Sequence, residues 1–199
     1  MRLKQLAFAC GWLLVACLPG CALLAGKSSK PPMTESRQQL YRLPVWKLEG
    51  RIAAKMGQEG WNANLVWEHE GGQERLRIFG PFNQGTVSII VQSDLVYVNE
   101  GNGVVTSSRD PNGWLKSRLG FAVPLRSLRY WVLGLPAPDA EYTPELDAGG
   151  GLVGFQQGGW ALSFERFDAI GDKVLPKKMT IRGSEVVLRL VADEWIFKQ

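Results

Sequence analysis

Hydrophobic residues recur at every second position over most of this chain, the signature of half-buried β-strands. The period starts at Val45: Trp46, Leu48 and Ile52 fall on one face, with Gly50 an expected bulge. Trp61, Ala63, Leu65 and Trp67 then alternate with Asn62, Asn64 and Glu68. Leu76 and Ile78 alternate with Arg75 and Arg77, and Val87, Ile89 and Val91 with Thr86, Ser88 and Gln92, although Ile90 blurs the outer face. Short runs at Leu95–Asn99 and Val104–Ser107 complete this series. The intervening turns, Glu70-Gly71-Gly72, Ser93-Asp94 and Glu100-Gly101-Asn102-Gly103, have hairpin chemistry.

Helical spacing interrupts the pattern in three places. Thr34–Leu43 reads as a helix ended by Pro44. Asp110-Pro111 pairs an N-cap with proline at the first helical position, and Gly120 supplies the stop. A third helix starts at Pro124; Leu125, Leu128, Trp131, Val132 and Leu135 form its apolar stripe, and Gly134 and Pro136 end it. Strands resume at Glu141–Leu146, Leu152–Gln156, Trp160–Phe167, Lys177–Arg182 and Val186–Ala192. About eleven closely spaced strands curl into a barrel or a strongly bent antiparallel sheet, because twist and edge exposure both favour it. No strand–helix alternation supports a doubly wound fold, and no internal repeat is present. Residues 34–199 are expected to form one mainly β domain.

The first residues follow a different logic. Arg2 and Lys4 precede an apolar run, Leu6–Ala16, that is shorter than the roughly 20 residues needed to span a bilayer but suits a secretory signal. All three cysteines, Cys10, Cys17 and Cys21, cluster here, which leaves the body without disulfide or thiolate chemistry. Leu14-Val15-Ala16-Cys17 reads as a lipobox and resembles bacterial lipoprotein precursors; Cys21, after Leu18-Pro19-Gly20, is the alternative. Residues 1–16 are then a lipoprotein signal peptide and 17–33 a tether, rich in Lys, Ser and Pro, with a root-mean-square span of about 25 Å. No Asp follows either cysteine, and in bacterial lipoproteins an Asp there commonly retains the protein in the inner membrane. Outer-membrane sorting is therefore expected, with the domain on a leash at the membrane surface.

Composition narrows the function. Eight Trp and eight Phe in 199 residues rule out disorder for most of the length. Removing Arg2 and Lys4 leaves 21 basic against 19 acidic side chains, without a block, so no nucleic-acid footprint exists. Gly149-Gly150-Gly151-Leu152-Val153-Gly154 matches GxGxxG formally but lies between two strands, the wrong context for a dinucleotide site. His69 is the only histidine, which excludes two-histidine metal motifs, and it reads as an exposed turn residue; no GxSxG elbow accompanies it. Asp193-Glu194 and Asp168/Asp172 read as solvated loop charge. Neither catalytic residues nor a cofactor are expected.

Two features point elsewhere. A small barrel rich in large apolar side chains either fills itself or leaves a cavity, and composition does not choose between these. The turn Gly80-Pro81-Phe82-Asn83-Gln84-Gly85 carries an aromatic ring where polar or small residues are usual. That ring either folds back onto the sheet or projects towards acyl chains and headgroups.

The segment Pro124-Leu125-Arg126-Ser127-Leu128-Arg129-Tyr130-Trp131-Val132-Leu133-Gly134-Leu135-Pro136 closely resembles the helix signature of the LolB family of outer-membrane lipoprotein receptors. Leu48-Glu49-Gly50-Arg51, Gly80-Pro81-Phe82, and Asp193-Glu194-Trp195-Ile196-Phe197 after Pro176, Met179 and Leu188 agree in order and spacing. The resemblance implies an unclosed antiparallel barrel of eleven strands with helices inside its opening, over an apolar cavity. It implies a monomer, anchored by Cys17, that accepts acylated lipoprotein cargo from the periplasmic carrier LolA. The cargo is then inserted into outer-membrane lipid without ATP. The family's protruding loop usually carries Leu after Pro; Pro81 and Phe82 occupy that position here, with a bulkier ring. Leu48, Leu65, Trp67, Ile89, Leu128, Trp131 and Phe164 are the expected acyl-chain cavity residues, being on the faces inferred to point inward. The competing readings are a lipocalin-type binder of a small apolar ligand and a structural lipoprotein with a filled core.

Overall fold

The computed structural model describes residues 35–80, 85–101 and 103–197. Cys17, Cys21, Pro81 and Phe82 lie outside the described residues. A short helix α1 (Glu35–Leu40) leads into six strands: β1 (Val45–Met56), β2 (Glu59–Glu70), β3 (Gln73–Phe79), β4 (Val87–Gln92), β5 (Leu95–Asn99) and β6 (Val105–Ser108). Helices α2 (Pro111–Leu119) and α3 (Leu125–Trp131) follow. Five strands close the chain: β7 (Tyr142–Leu146), β8 (Leu152–Gln157), β9 (Trp160–Ile170), β10 (Lys173–Arg182) and β11 (Val187–Phe197).

The eleven strands make one sheet in the order β6-β5-β4-β3-β2-β1-β11-β10-β9-β8-β7. Every neighbouring pair is antiparallel. First and last strands meet in the middle, and the edges, β6 and β7, are not bonded to each other, so the barrel is unclosed. The chain passes from one edge to the other through α2 and α3. Burying their apolar residues against the inner face covers what an open sheet would leave exposed.

Alternation predicts the inward face well. Trp46, Leu48, Leu65, Trp67, Leu76, Ile89, Val91, Leu162 and Phe164 are all buried. The N-cap of α2 is also as read: Asp110 accepts from Gly113 N–H at 2.9 Å, and Gly120 ends the helix with φ +81°.

Several boundaries differ, among them the end of α1 at Leu40 rather than Leu43 and of β9 at Ile170 rather than Phe167. β10 begins at Lys173 rather than Lys177, because Pro176 is accommodated where the register against β9 shifts. β11 continues beyond Ala192 to Phe197, past a bulge whose extra residue is Asp193, opposite the Glu49/Gly50 step. Gly50 is therefore not the inserted residue. It is the point of close approach, where a Cβ would come within 2.2 Å of the Val191 carbonyl oxygen. Helix α3 ends at Trp131 rather than Leu135; Leu133 and Gly134 N–H groups turn back to the Tyr130 and Trp131 carbonyls, and Gly134 takes φ +74°.

His69 requires a correction. It is not exposed: its ring stacks on Trp46 at 5.4 Å, and Nδ1 lies 2.7 Å from Glu74 Oε1. Glu74 is itself only 6% exposed. The cause is register, since His69 stands directly opposite Glu74 across β2 and β3.

Candidate functional site

On the inner face the strands and helices do not meet everywhere. They leave an apolar cleft of about 500 Å³, within the usual range for small-ligand sites. Ile52 from β1, Trp61 from β2, Leu76 and Ile78 from β3, Val87 and Ile89 from β4 and Leu188 from β11 form the sheet wall. Trp114, Leu115, Phe121, Val123, Leu125 and Leu128 of the helical segment form the other wall. Each sheet residue belongs to the alternating set, so the period-two pattern builds a continuous greasy surface. The polar residues lining it are Glu100 and Arg118, ion-paired at 2.7 Å. That pair ties α2 to the end of β5, while Gly120 abuts Met56 at the end of β1. The C-terminal end of α2 is thus held between the ends of β1 and β5.

Helix α3 is held from several directions. Gln157 on β8 accepts hydrogen bonds from Trp131 Nε1 and Ala137 N–H and donates to the Ala137 and Ala140 carbonyls, all at 2.8 Å. From α1, Arg37 donates to the Gly134 carbonyl, and the Tyr41 hydroxyl donates to the Pro136 carbonyl at 2.7 Å. Burial is the main reason that the Arg37 pKa falls below its ordinary value. Burial, with Tyr142 nearby, pushes the Tyr41 phenol up to about 12.

A second, more polar cavity of about 420 Å³ shares Leu76 and Leu125 with the cleft. Glu74 sits there, accepting from Trp67 Nε1 at 2.8 Å, with Arg129 Nη1 of α3 at 3.9 Å. Glu74 is not among the residues that the sequence motifs single out. The signal was available: it lies two residues before Leu76, hence on the same inward face.

Among the expected cavity residues, Ile89 and Leu128 line the cleft, and Trp67 lines the polar cavity. Leu48, Leu65, Trp131 and Phe164 are enclosed in the surrounding core. Ile52, Leu76, Ile78, Val87 and Leu188 point into the same cleft, and Trp114, Phe121 and Val123 come from the helical segment. Among the described residues there is no group of His, Cys, Asp and Glu suited to a metal ion, and no helix long and apolar enough to cross a membrane.

An unclosed antiparallel sheet, its edges joined through helices over its inner face, defines the class. A crystal structure of a LolA superfamily protein from Nitrosomonas europaea has this fold, with a TM-score of 0.50 and 11% identity over 79% of this chain and 87% of that one. The sequence is more specific. Residues 44–195 match the family described as outer membrane lipoprotein LolB. The outer-membrane lipoprotein LolB of Nitrosococcus oceani is 32% identical across 92% of each chain, and that of Pseudomonas paraeruginosa 26% identical across 91% of each. The chain belongs to the LolB family of outer membrane lipoproteins.

Proposed function

We propose that this protein is a receptor, anchored in the outer membrane and facing the periplasm, that takes acylated lipoproteins from LolA and releases them into the membrane. The observation that carries this reading is the cleft. It offers an almost wholly apolar surface between sheet and helices, with one ion pair at its edge. Burying a methylene contributes about 0.8 kcal/mol, so a chain of about fifteen methylenes gains on the order of 12 kcal/mol by leaving water. Passage across an aqueous gap therefore needs a shielded hand-over between two apolar cavities, and passive partition suffices to drive it. Ile89 and Leu128 contact the acyl chain directly in this reading. Leu48, Leu65, Trp67, Trp131 and Phe164 shape the wall behind them. Cys17 carries the lipid anchor after removal of residues 1–16, with residues 17–33 as the leash; Cys21, after removal of residues 1–20, is the alternative. Pro81 and Phe82 supply the loop that enters the bilayer.

The test is to mix the protein with lipoprotein bound to LolA and follow the cargo. Cargo moves to this protein, then into added liposomes. Retention of the cargo by the carrier with this protein in excess overturns the reading. Displacement of a bound hydrophobic dye by acylated cargo, but not by small apolar metabolites, separates it from a lipocalin-type role.

A further inference from the structure

Strands β1, β11 and β10 lie side by side, and their registers gather three cations at one end of the outer face. Lys55 stands directly opposite Val187, and Val187 directly opposite Arg182. Arg189 is two residues further along β11 and shares the face. Directly opposed side chains are about 5 Å apart, so the three cations surround Val187 within about 10 Å. They line a surface cavity of about 440 Å³ together with the β10–β11 turn.

Most charge elsewhere on this face is matched. Arg51 pairs with Asp193 at 2.9 Å, Arg166 with Asp168 at 3.0 Å, and Lys178 with Glu165. The trio is different. Among the described residues, the side chains of Lys55 and Arg189 make no hydrogen bond or ion pair, and Arg182 has only a 3.5 Å contact with the Ser163 hydroxyl. Glu165, the carboxylate that feels the charge of Arg189, is already engaged by Lys178 and Thr180. Glu185 is the single acidic residue lining the cavity. Three cations against one carboxylate leave an unmatched positive site, and two guanidinium forks with an ammonium suit phosphate oxygens.

The position gives the site its meaning. Leu188, between Val187 and Arg189, points to the opposite face and lines the apolar cleft; Ile52, three residues before Lys55, does the same. The end of β3 at Phe79 and the start of β4 at Val87 lie at this same end of the sheet. A domain that empties its cleft into a bilayer from this end brings these cations to the headgroups.

We propose that Lys55, Arg182 and Arg189 form a binding site for the phosphate groups of acidic phospholipids, which turns the cleft opening towards the membrane. This rests on the membrane-delivery reading above, but its test uses no cargo.

The full lipidated chain is reconstituted into phosphatidylcholine vesicles, with or without about 30% phosphatidylglycerol, and labelled with an amine-reactive reagent. Mass spectrometry then reads the labelling rate of each lysine. Lys55 is expected to label about threefold or more slowly with the acidic lipid, while exposed Lys116 on α2 changes much less. About 0.5 M NaCl should remove the difference, and so should the double variant Arg182→Gln/Arg189→Gln. Equal labelling of Lys55 in the two vesicles overturns the proposal. Equal protection by inorganic phosphate with phosphatidylcholine alone assigns the site to free anions and overturns the lipid source. Protection only on adding an acidic protein assigns it to a protein partner and overturns it too. Failure here leaves cargo acceptance standing, and failure of cargo transfer leaves this readout unchanged.

Discussion

Gln157 on β8 holds Trp131 on α3 through a hydrogen bond closed off from solvent, the indole Nε1 donating to the side-chain oxygen over 2.8 Å. The same amide satisfies Ala137 N–H and two carbonyls of the following loop. One side chain on the sheet thus sets where the helical cover comes to rest, and the cover in turn decides how much of the inner face stays open.

Gln157→Leu should lower stability by about 3 kcal/mol, because buried donors and acceptors are left without partners. Thermal unfolding should shift down by roughly 6–12 °C. An unchanged midpoint would show that the amide is not needed to seat the loop.

Gly50→Ala should destabilise strongly, by more than about 2 kcal/mol, since the new Cβ meets the Val191 carbonyl at 2.2 Å. Urea denaturation measures this directly. Gly57→Ala is the comparison: it lies in an open turn with φ +57°, so only backbone strain of about 1 kcal/mol is expected.

Tyr41 makes stability depend on alkaline pH. Its pKa is raised to about 12 in the folded protein from an ordinary value of 10.0, so the folded state holds the proton longer than the unfolded chain. The stabilisation is complete below pH 10 and is lost as pH rises towards 12. Tyr41→Phe should remove that part of the decline. Near pH 7 it should cost about 1 kcal/mol, through loss of the hydrogen bond to the Pro136 carbonyl. Denaturant curves at pH 8 and 11 for both proteins distinguish these effects.

Ile78 is half-buried and faces the cleft, so Ile78→Asn should weaken binding of a fluorescent fatty acid about tenfold while the fold persists. Circular dichroism checks the fold and displacement titration the affinity. Equal affinity would move the ligand away from the β3 wall.

Phe82→Glu should leave the fold and acceptance of cargo intact but block release into liposomes, because a charged tip is costly to place among acyl chains. Normal release by this variant would detach residues 81–82 from insertion.

The histidine shows how far alternation reaches. The sequence has the period that puts Leu76 and Ile78 inward, and extending it by two residues puts Glu74 inward as well. What it does not show is that His69 lies opposite, stacked on Trp46, and that Trp67 donates to the same carboxylate. Pairing across strands depends on register, and a histidine beside two glycines looks solvated until its neighbour on β3 is known. The cation trio is similar. Lys55, Arg182 and Arg189 are unremarkable in the chain and become one site only when β1, β11 and β10 align.

Strand number, turn positions, the N-cap at Asp110 and the identity of the inward faces were determined by the sequence alone. These properties follow from local geometry: a period of two, glycine at positive φ and a carboxylate near the first helical N–H groups. Family membership was legible too, because motif order and spacing survive without coordinates. Only the tertiary structure decided which inward side chains are enclosed and which face a gap. Leu48 and Ile52 carry the same pattern on the same strand, yet one is fully buried and the other borders the cleft. The reason is that empty space is not a property of any segment: it is left over when a curved sheet and its helices, each held by distant contacts, fail to meet.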